Sequence, residues 1–542
     1  MQVRRLAAWA ALPLAVTLGL SACGKSGGSD SGSANPNGVV SIGIAEPKHL
    51  IPSNTAETSG SQVLAALFAP LVDFDEANKP FEVAAQEIST TDNKTWTIKL
   101  KDGWTFHNGE PVTADSYINA WNYAAYGPNA QDNNYFFDKV EGYKDLNPAD
   151  ANTKPTATAL TGLKKVDDKT FTVTLNAPFS EFKALLGYTA FYPLPNAAFE
   201  SATASPLVLA KSYEDAPIGN GPFKIKGSWQ HDAQVEVEKY DAFAGTKPTI
   251  GGALFKIYQN SDAEYADLQA NNLDVVKQIP TASLSTATGD LGDRYQTSPA
   301  STLQVLAFPT FDKRFEKPEV RKAISMAIDR EEIANKVFQG SQKAAYSFVS
   351  PVVAGYRDKT CGAACEFNPT EAKKQYEAAG GPKSLNITYN TDGGHQEWVD
   401  ATCNQLKANL GVECVGTPEP KFADLLTKVK AKKDVGMFRM GWVMDYPSME
   451  NYLGPLYSTG GSSNYYGYSN PTFDNLLKEG SAAATQDEAI KKYQEAEDIL
   501  AKDMPVLPLR FGQNVFGHST NVKDVHIDLF NRVDLNKIQI AG

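Results

Sequence analysis

The side chains that could carry out covalent or metal chemistry are scattered along the chain. The six histidines stand at positions 49, 107, 231, 395, 518 and 526, without the spacing of a metalloprotease or paired-ligand site. No G-x-S-x-G sequence, which places a nucleophilic serine on a tight turn, occurs. Residues 19–26 match the phosphate-binding pattern G-x-x-x-x-G-K-[ST], but that motif needs a strand before it and a helix after it. We therefore predict no catalytic centre, cofactor or metal, and a protein that is not an enzyme.

One of the five cysteines, Cys23, ends a segment that is typical of protein export. Arg4-Arg5 precede an apolar run over residues 6–20, as in a signal peptide. A membrane-spanning helix is the alternative, but it needs about 20 apolar residues, and Pro13 interrupts this run. Residues 20–23 (LSAC) resemble the lipobox of bacterial lipoproteins, which implies that Cys23 is lipidated after cleavage of the signal peptide 1–22.

A flexible tether is predicted directly after Cys23. Residues 24–38 carry no large apolar side chain and are rich in Gly, Ser, Asn and Asp, a composition that does not fold by itself. Acyl chains contribute about 0.8 kcal/mol per buried CH2, so lipid on Cys23 would anchor the protein without a transmembrane helix. We expect residues 23–38 to hold the folded body on the extracytoplasmic face of the cell membrane.

The remaining four cysteines, Cys361, Cys365, Cys403 and Cys414, can oxidise in an exported protein. They allow three pairings, and short loops favour Cys361 with Cys365 and Cys403 with Cys414. A four-thiolate zinc site is the alternative, but the spacing lacks the paired C-x-x-C units of such sites.

Composition excludes several classes of protein. The chain has 542 residues, 42% of them hydrophobic and 21% charged, which is typical of a folded globular protein. Its length corresponds to about three structural units. A net charge of −12 disfavours a surface that neutralises phosphates, so nucleic acid is not an expected partner.

Alternating strand and helix patterns predict an α/β protein. Period-2 alternation predicts strands at 95–100 and 171–175, with a helix beginning at Thr113 between them. A β-α-β-α series over residues 384–431 predicts a parallel or mixed sheet. Apolar residues at helical spacing predict one helix from Pro318 to residue 338, and another from Pro471 that ends at Gly480.

Six segments, in order along the chain, resemble one family: residues 100–121, 216–225, 317–340, 441–448, 468–477 and 504–511. They are similar to segments of the extracellular solute-binding proteins of the oligopeptide, dipeptide and nickel uptake group, family 5, over about residues 40–525. The resemblance implies a two-lobed type II periplasmic-binding-protein fold with an extra inserted subdomain, three domains in all. Two strands crossing between the lobes would form the hinge, and the ligand cleft would lie between the lobes.

The resemblance also implies how the chain is divided. The expected segments are 39–73, 215–305 and 505–542 for the first lobe, 74–214 for the inserted subdomain, and 306–504 for the second lobe.

Residue by residue, the family's binding positions fall on five residues here. Asp445, after Gly441-Trp442, matches the carboxylate that receives a peptide's amino terminus, and a desolvated ammonium does need a charged partner. Arg439 matches an arginine available to the peptide's carboxylate, for which its planar fork is suited. Trp442 would form a wall of the pocket, and Glu46 matches an acidic residue of the opposite lobe that lines the cleft. For Asp445 a turn cap, and for Arg439 a structural salt bridge, are the alternatives.

The function implied is capture of oligopeptides or dipeptides for an ABC importer. Extended peptides can be held through their backbones with roomy, hydrated side-chain pockets, and a ligand that contacts both lobes favours their closure. The implied partners are a peptide ligand and the permease and ATPase subunits of the importer; we expect a monomer. The alternatives are another solute, such as a nickel chelate, an opine or an oligosaccharide, or a cell-surface hydrolase.

Overall fold

The computed structural model of the protein describes residues 37–75, 78–150, 152–391, 394–420, 422–432 and 435–541. The predicted signal peptide, the lipidation site Cys23 and the tether up to residue 36 lie outside the described residues.

Within the described residues, strands alternate with helices. Strands β1 to β19 are, in chain order, Val39–Ile44, Val72–Phe74, Pro80–Glu82, Ala85–Thr90, Thr95–Leu100, Leu163–Asp167, Thr170–Thr174, Phe223–Ile225, Gln234–Lys239, Gly252–Ile257, Val275–Val276, Tyr295–Ala307, Lys343–Ala344, Ser384–Asn390, Glu413–Glu419, Met437–Trp442, Val506–His518, Val522–Lys523 and Gln539–Ile540.

Helices α1 to α14 are, in chain order, Thr58–Leu67, Ala114–Ala125, Tyr143–Leu146, Phe182–Leu185, Ser261–Gln269, Leu284–Leu291, Pro318–Met326, Arg330–Lys336, Pro369–Ala379, Gln396–Leu410, Phe422–Lys430, Met449–Tyr457, Pro471–Ser481 and Gln486–Asp503. In the part of the chain that the structure describes, none of these helices has the length and apolar character needed to cross a bilayer.

One long mixed sheet organises the molecule. Its strand order is β15-β14-β16-β12-β17-β11-β1-β10-β9-β8, with β13 paired to β17 at the side. Strands β12 and β17 span 13 residues each and pair with each other antiparallel. At the sheet's centre, β12 also pairs with β16 and β17 with β11. These two strands therefore join the two halves of the sheet.

Two large hydrophobic cores lie on either side of that junction. The first includes side chains of β1, α1, β9 and β10 together with those of residues 84–199; the elements around it are called the first lobe here. The second includes side chains of β14, α10, β16, α12 and α14, and its elements are called the second lobe. The precise residues at which the chain passes between domains stay a prediction.

The segment inserted into the first lobe has its own four-stranded sheet, β4-β5-β7-β6. In β5 the side chains of Trp96, Ile98 and Leu100 are buried while those between them are exposed, which is the alternation expected from the sequence. Helix α2 follows Thr113, whose backbone N–H donates to Ser116 Oγ at 3.1 Å. Both predicted strands and the helix are confirmed.

The second lobe shows the predicted β-α-β arrangement. Strands β14 and β15 pair in parallel, and α10 connects them, as a parallel connection requires. Cys403 of α10 is bonded to Cys414 of β15, and Cys361 to Cys365. The Cys403–Cys414 disulfide links α10 to the edge strand β15. All four cysteines are in disulfides, so none of them is a thiolate ligand for the alternative zinc site.

Two helix predictions are wrong. The helix expected over residues 318–338 is two helices, α7 and α8, because Asp329 begins the second by accepting from the Glu332 N–H at 2.9 Å. Arg330 is buried there and donates to the Pro508 carbonyl at 2.7 Å. Gly480 does not end α13, which continues to Ser481; a Cβ on Gly480 would lie 2.4 Å from the Tyr493 ring, so this glycine serves close helix packing.

Candidate functional site

Strand β16 carries three of the five predicted binding residues to the centre of the sheet. Arg439, Gly441 and Trp442 are the third, fifth and sixth residues of Met437–Trp442. The strand pairs with β12, where Gly441 lies opposite Gln304. A Cβ on Gly441 would lie 2.7 Å from Gln304 Oε1, so the glycine makes room for the Gln304 side chain to cover the strand.

A cavity of about 590 Å³ opens beside these strands and is lined by both lobes. Its lining includes Gln278, Ile279 and Thr281 from the first lobe, Arg439, Gly441 and Trp442 from the second, and Gln304, Arg510 and Gln513 from the two shared strands. We call this cavity the interlobe cleft. Because its walls belong to both lobes, a bound molecule would contact both.

Asp445 lies just beyond β16, where an asparagine fixes its position. The Asp445 backbone N–H donates to Asn451 Oδ1 at 2.8 Å, and Asn451 Nδ2 donates to Asp445 Oδ2 at 3.1 Å. Trp442 Nε1 donates to the same Asn451 oxygen at 3.1 Å. Asn451 is 1% exposed on α12, so one buried amide positions both the predicted wall residue and the predicted carboxylate.

Asp445 lies in an environment that disfavours its charged form, and no charged side chain among the described residues compensates for this. Burial raises the pKa of Asp445 to about 6; the Asn451 hydrogen bond opposes this and the Glu450 charge adds to it. No lysine, arginine or histidine of the described residues forms an ion pair with it. The turn-cap alternative does not explain this, because the side chain accepts from Asn451 six residues onward rather than from the local backbone.

Aromatic residues of the inserted segment face Asp445 from the first lobe. Desolvation of the hydroxyl raises the pKa of Tyr188 and of Tyr135, although Tyr135 as a whole is 44% exposed, and the Asp445 charge raises both further. The Tyr135 ring stacks on Phe136 at 4.4 Å, and Phe136 lies 4.3 Å from Tyr188. Neither tyrosine was predicted; the aromatic cluster at 135–137 was the available signal, and it is equally typical of core packing.

Arginines gather at the other side of Trp442. The Arg439 guanidinium lies 5.2 Å from the centre of the Phe422 ring. Arg510 of β17, which sequence reasoning missed, lines the same cleft, and burial together with the Arg439 charge lowers the pKa of Arg510 to about 9. The cleft lining thus has a basic site at Arg439 and Arg510. Asp445 lies two residues beyond the lining residue Val443 and is not itself among the lining residues.

Glu46 lies elsewhere in the first lobe. One of its carboxylate oxygens is 3.0 Å from His231 Nδ1, and the other accepts from the Asp232 N–H at 3.0 Å. Glu46 is absent from the lining of the interlobe cleft. This geometry favours a local structural role over the predicted ligand contact.

Two lobes of mixed α/β structure share two strands and both line the interlobe cleft, an arrangement typical of the type II periplasmic-binding fold. Residues 82–464 match the model of the bacterial extracellular solute-binding proteins, family 5 (Middle), and the chain belongs to that family. The predicted fold class is thereby confirmed. The family consists of substrate-binding proteins, so the chain is a binding protein and not an enzyme.

Individual relatives agree with this assignment. The chain is 28% identical over 535 residues to the oligopeptide-binding protein OppA of Bacillus subtilis, covering 95% of each chain. It is 27% identical to the dipeptide-binding protein DppE of the same organism, covering 93% of this chain and 92% of DppE. The solved Escherichia coli murein tripeptide binding protein MppA is similar in fold, with a TM-score of 0.76, 23% identity, and coverage of 94% of this chain and 99% of MppA.

Proposed function

We propose that this protein captures oligopeptides or dipeptides in the interlobe cleft and delivers them to the permease of an ABC importer. The observation that carries the proposal is Asp445, a partly buried carboxylate with no ion-pair partner among the described residues, next to the lining tryptophan of the cleft. The names of the two Bacillus relatives support the same ligand class.

The proposed binding mode uses the two charged ends of a peptide. The amino-terminal ammonium pairs with Asp445, since a desolvated ammonium needs a charged, hydrogen-bonding partner. The carboxylate pairs with Arg439, whose guanidinium suits a planar oxyanion. Between them, the peptide backbone lies along Gly441 and Trp442, which line the cleft. Contacts to both lobes then favour the closed form.

The direct test is calorimetry with alanine peptides of two to five residues and their N-acetylated forms. We expect Asp445→Asn to weaken binding of the free-amine peptides by ~2 kcal/mol or more, as for loss of one partner of a buried charge pair. N-acetylation should weaken binding to the natural protein but change little in the variant. Asp102→Asn, at an exposed turn of the inserted segment, is the matched control and should bind like the natural protein.

The test can also reject the proposal. If Asp445→Asn binds the free-amine peptides as tightly as the natural protein, Asp445 does not receive the amino terminus. If no peptide of any length binds the natural protein, the ligand belongs to another chemical class.

We further propose that the mature chain is a monomer anchored through lipid on Cys23, with residues 24–38 as its tether. The supporting observation is the sequence of residues 4–23, a basic start and an apolar run ending in LSAC. In a Gram-positive cell, which has no outer membrane to retain a secreted protein, Cys23→Ala should release the protein into the medium. Membrane retention of that variant, measured by cell fractionation, would contradict the lipid anchor.

A further inference from the structure

Among the described residues, Arg510 forms fewer hydrogen bonds than the other buried arginines, Arg321 and Arg330. Arg330 donates to the carbonyls of Pro508, Ser325 and Cys365 at 2.7–3.2 Å. Arg321 likewise donates to backbone carbonyls on two segments. Arg510 is 4% exposed, yet its one hydrogen bond among the described residues runs from Nε to Gln342 Oε1 at 2.5 Å.

The rest of the Arg510 guanidinium is held by aromatic faces. Its central carbon lies 4.3 Å from the centre of the Phe338 ring and 5.0 Å from that of Trp398. Such contacts orient a cation but do not use the donors at its edge. Since Arg510 lines the interlobe cleft and forms no ion pair with a described residue, its remaining donors are available to a molecule in the cleft.

The sheet places Arg510 beside the proposed carboxylate-binding arginine. Gln304 of β12 lies opposite Gly441 on one side and opposite Arg510 on the other, so these three positions share one face of the sheet. Arg439 is two residues before Gly441 and therefore faces the same way. The proximity has an electrostatic consequence, because the charge of Arg439 contributes to lowering the pKa of Arg510.

The other groups in this part of the cleft also suit an anion. The described residues that line the cleft include no aspartate or glutamate, but they include Arg439, Arg510 and His395. A buried cation without a counter-ion is costly, and Arg510 forms no ion pair with a described residue.

We propose that Arg510 is a specificity-determining residue that binds a second carboxylate of the ligand, so that the preferred ligands are peptides with an acidic carboxyl-terminal residue. Arg439 takes the main-chain carboxylate and Arg510 takes the Asp or Glu side chain. The inference rests on the peptide-binding function proposed above and adds the chemistry of the peptide's last residue.

The experiment compares pairs of peptides that differ only in the last side chain. Alanine peptides of two to five residues ending in Glu are measured against those ending in Gln, by calorimetry at pH 7 and low salt. We expect the Glu peptide of the best-binding length to bind at least tenfold more tightly. In Arg510→Gln this ratio should fall to about one, while affinity for the Gln peptide changes less than threefold.

Two further variants separate the roles of the arginines. Arg439→Gln should weaken both peptides by a similar factor and keep most of the preference for Glu. Arg510→Lys keeps the charge and should retain a preference of severalfold for Glu. If Arg510→Gln does not fold, as judged by its circular dichroism, the ratio in the natural protein and in Arg510→Lys decides the matter.

The outcomes distinguish this inference from the proposed function. Equal affinity for Glu and Gln peptides at every length in the natural protein overturns the inference and leaves peptide binding intact. A similar loss for both peptides in Arg510→Gln also overturns it, because Arg510 would then contact only the main-chain carboxylate. Absence of binding by all peptides contradicts the proposed function, and the inference with it.

Discussion

At the scale of single residues, the environment of Asp445 predicts how ligand affinity varies with pH. Burial raises its pKa to about 6 in the ligand-free protein, whereas a peptide's amino group stays protonated up to about pH 8. The carboxylate form binds the ammonium, so affinity is present above pH 6 and is lost as the pH falls through 6. We expect calorimetry to show about tenfold weaker binding at pH 5 than at pH 7.

The matched measurement for this pH dependence is Asp445→Asn. Its residual affinity should change little between pH 5 and pH 7, because the titrating group has been removed. An equal decrease in the variant and in the natural protein would assign the pH dependence to another residue.

The residues of the site divide into those that local sequence reveals and those that it does not. Asp445 and Arg439 stand within one short segment around Gly441-Trp442, and both lie beside the cleft. Asn451, Tyr135 and Arg510 come from α12, the inserted segment and β17, and only the folded arrangement brings them to the same place. No local sequence pattern around a single arginine in a strand, such as Arg510, distinguishes a position in the cleft from a position in the core.

At the scale of elements, the Gly219-Asn220-Gly221 turn fixes the end of α1. Asn220 Oδ1 accepts from the Ala69 N–H at 3.0 Å, and the Gly221 N–H donates to the Leu67 carbonyl at 2.8 Å. A Cβ on Gly219 would lie 1.8 Å from the Leu67 carbonyl oxygen, which is backbone and cannot turn aside. We expect Gly219→Ala to lower the free energy of unfolding by ~3 kcal/mol, measured by urea denaturation.

The comparison for that variant is Gly227→Ala. Gly227 has a φ of +82°, and a Cβ added there would have no other heavy atom within 4 Å, so only backbone strain of about 1 kcal/mol is expected. Equal costs for the two variants would show that the contact with Leu67 relaxes easily.

The local sequence predicted helices and strands well where one pattern of apolar residues was bounded by residues that typically begin or end an element. Strand β5 and the start of α2 are such cases, because alternation and a capping threonine are local properties. The break between α7 and α8 was missed because the apolar spacing continues through it. It is set by Asp329 and by the contact of Arg330 with Pro508, a residue 178 positions away.

At the scale of the whole molecule, alternation of strands and helices predicts a parallel or mixed sheet but not its order. In the first lobe, β1 lies between β10 and β11. Both of these strands are more than 200 residues further along the chain than β1. Strands β12 and β17 are shared by both halves of the sheet, and their role follows from pairing partners that no local pattern specifies. The two-lobed arrangement was therefore available from the family resemblance and not from periodicity.

The contact between the inserted segment and the second lobe buries two acidic side chains close together. Glu181 precedes α4 of the inserted segment, and Glu450 lies on α12; they are 6% and 7% exposed. Burial raises the pKa of Glu181 to about 7, the Glu450 charge adds to this, and a Ser448 hydrogen bond opposes it. Tyr446 donates to Glu450, and the charges of Glu450 and Glu181 also act on Tyr493.

Neighbouring contacts also join the inserted segment to the second lobe. The Ser180 N–H donates to the Ser481 carbonyl at 2.8 Å, and Asn93 Nδ2 donates to the Ala483 carbonyl at 2.7 Å. Burial raises the pKa of Asp138, the Glu450 charge adds to this, and the Lys139 charge opposes it. No cation is among the groups that shift the pKa of Glu181, so its ionisation is not compensated there.

Stability should therefore depend on pH through Glu181. Its pKa is near 7 when folded and about 4.5 when unfolded, so the folded state binds the proton more tightly, and stability falls as the pH rises from 4.5 through 7. We expect Glu181→Gln to raise the free energy of unfolding by ~2 kcal/mol at pH 8 and by much less at pH 4.5, in denaturant titrations at both pH values. Glu200→Gln, at an exposed site, should change neither. A gain at pH 8 no larger than that at pH 4.5 would mean that Glu181 is hydrated, as it would be if the lobes stand apart in solution.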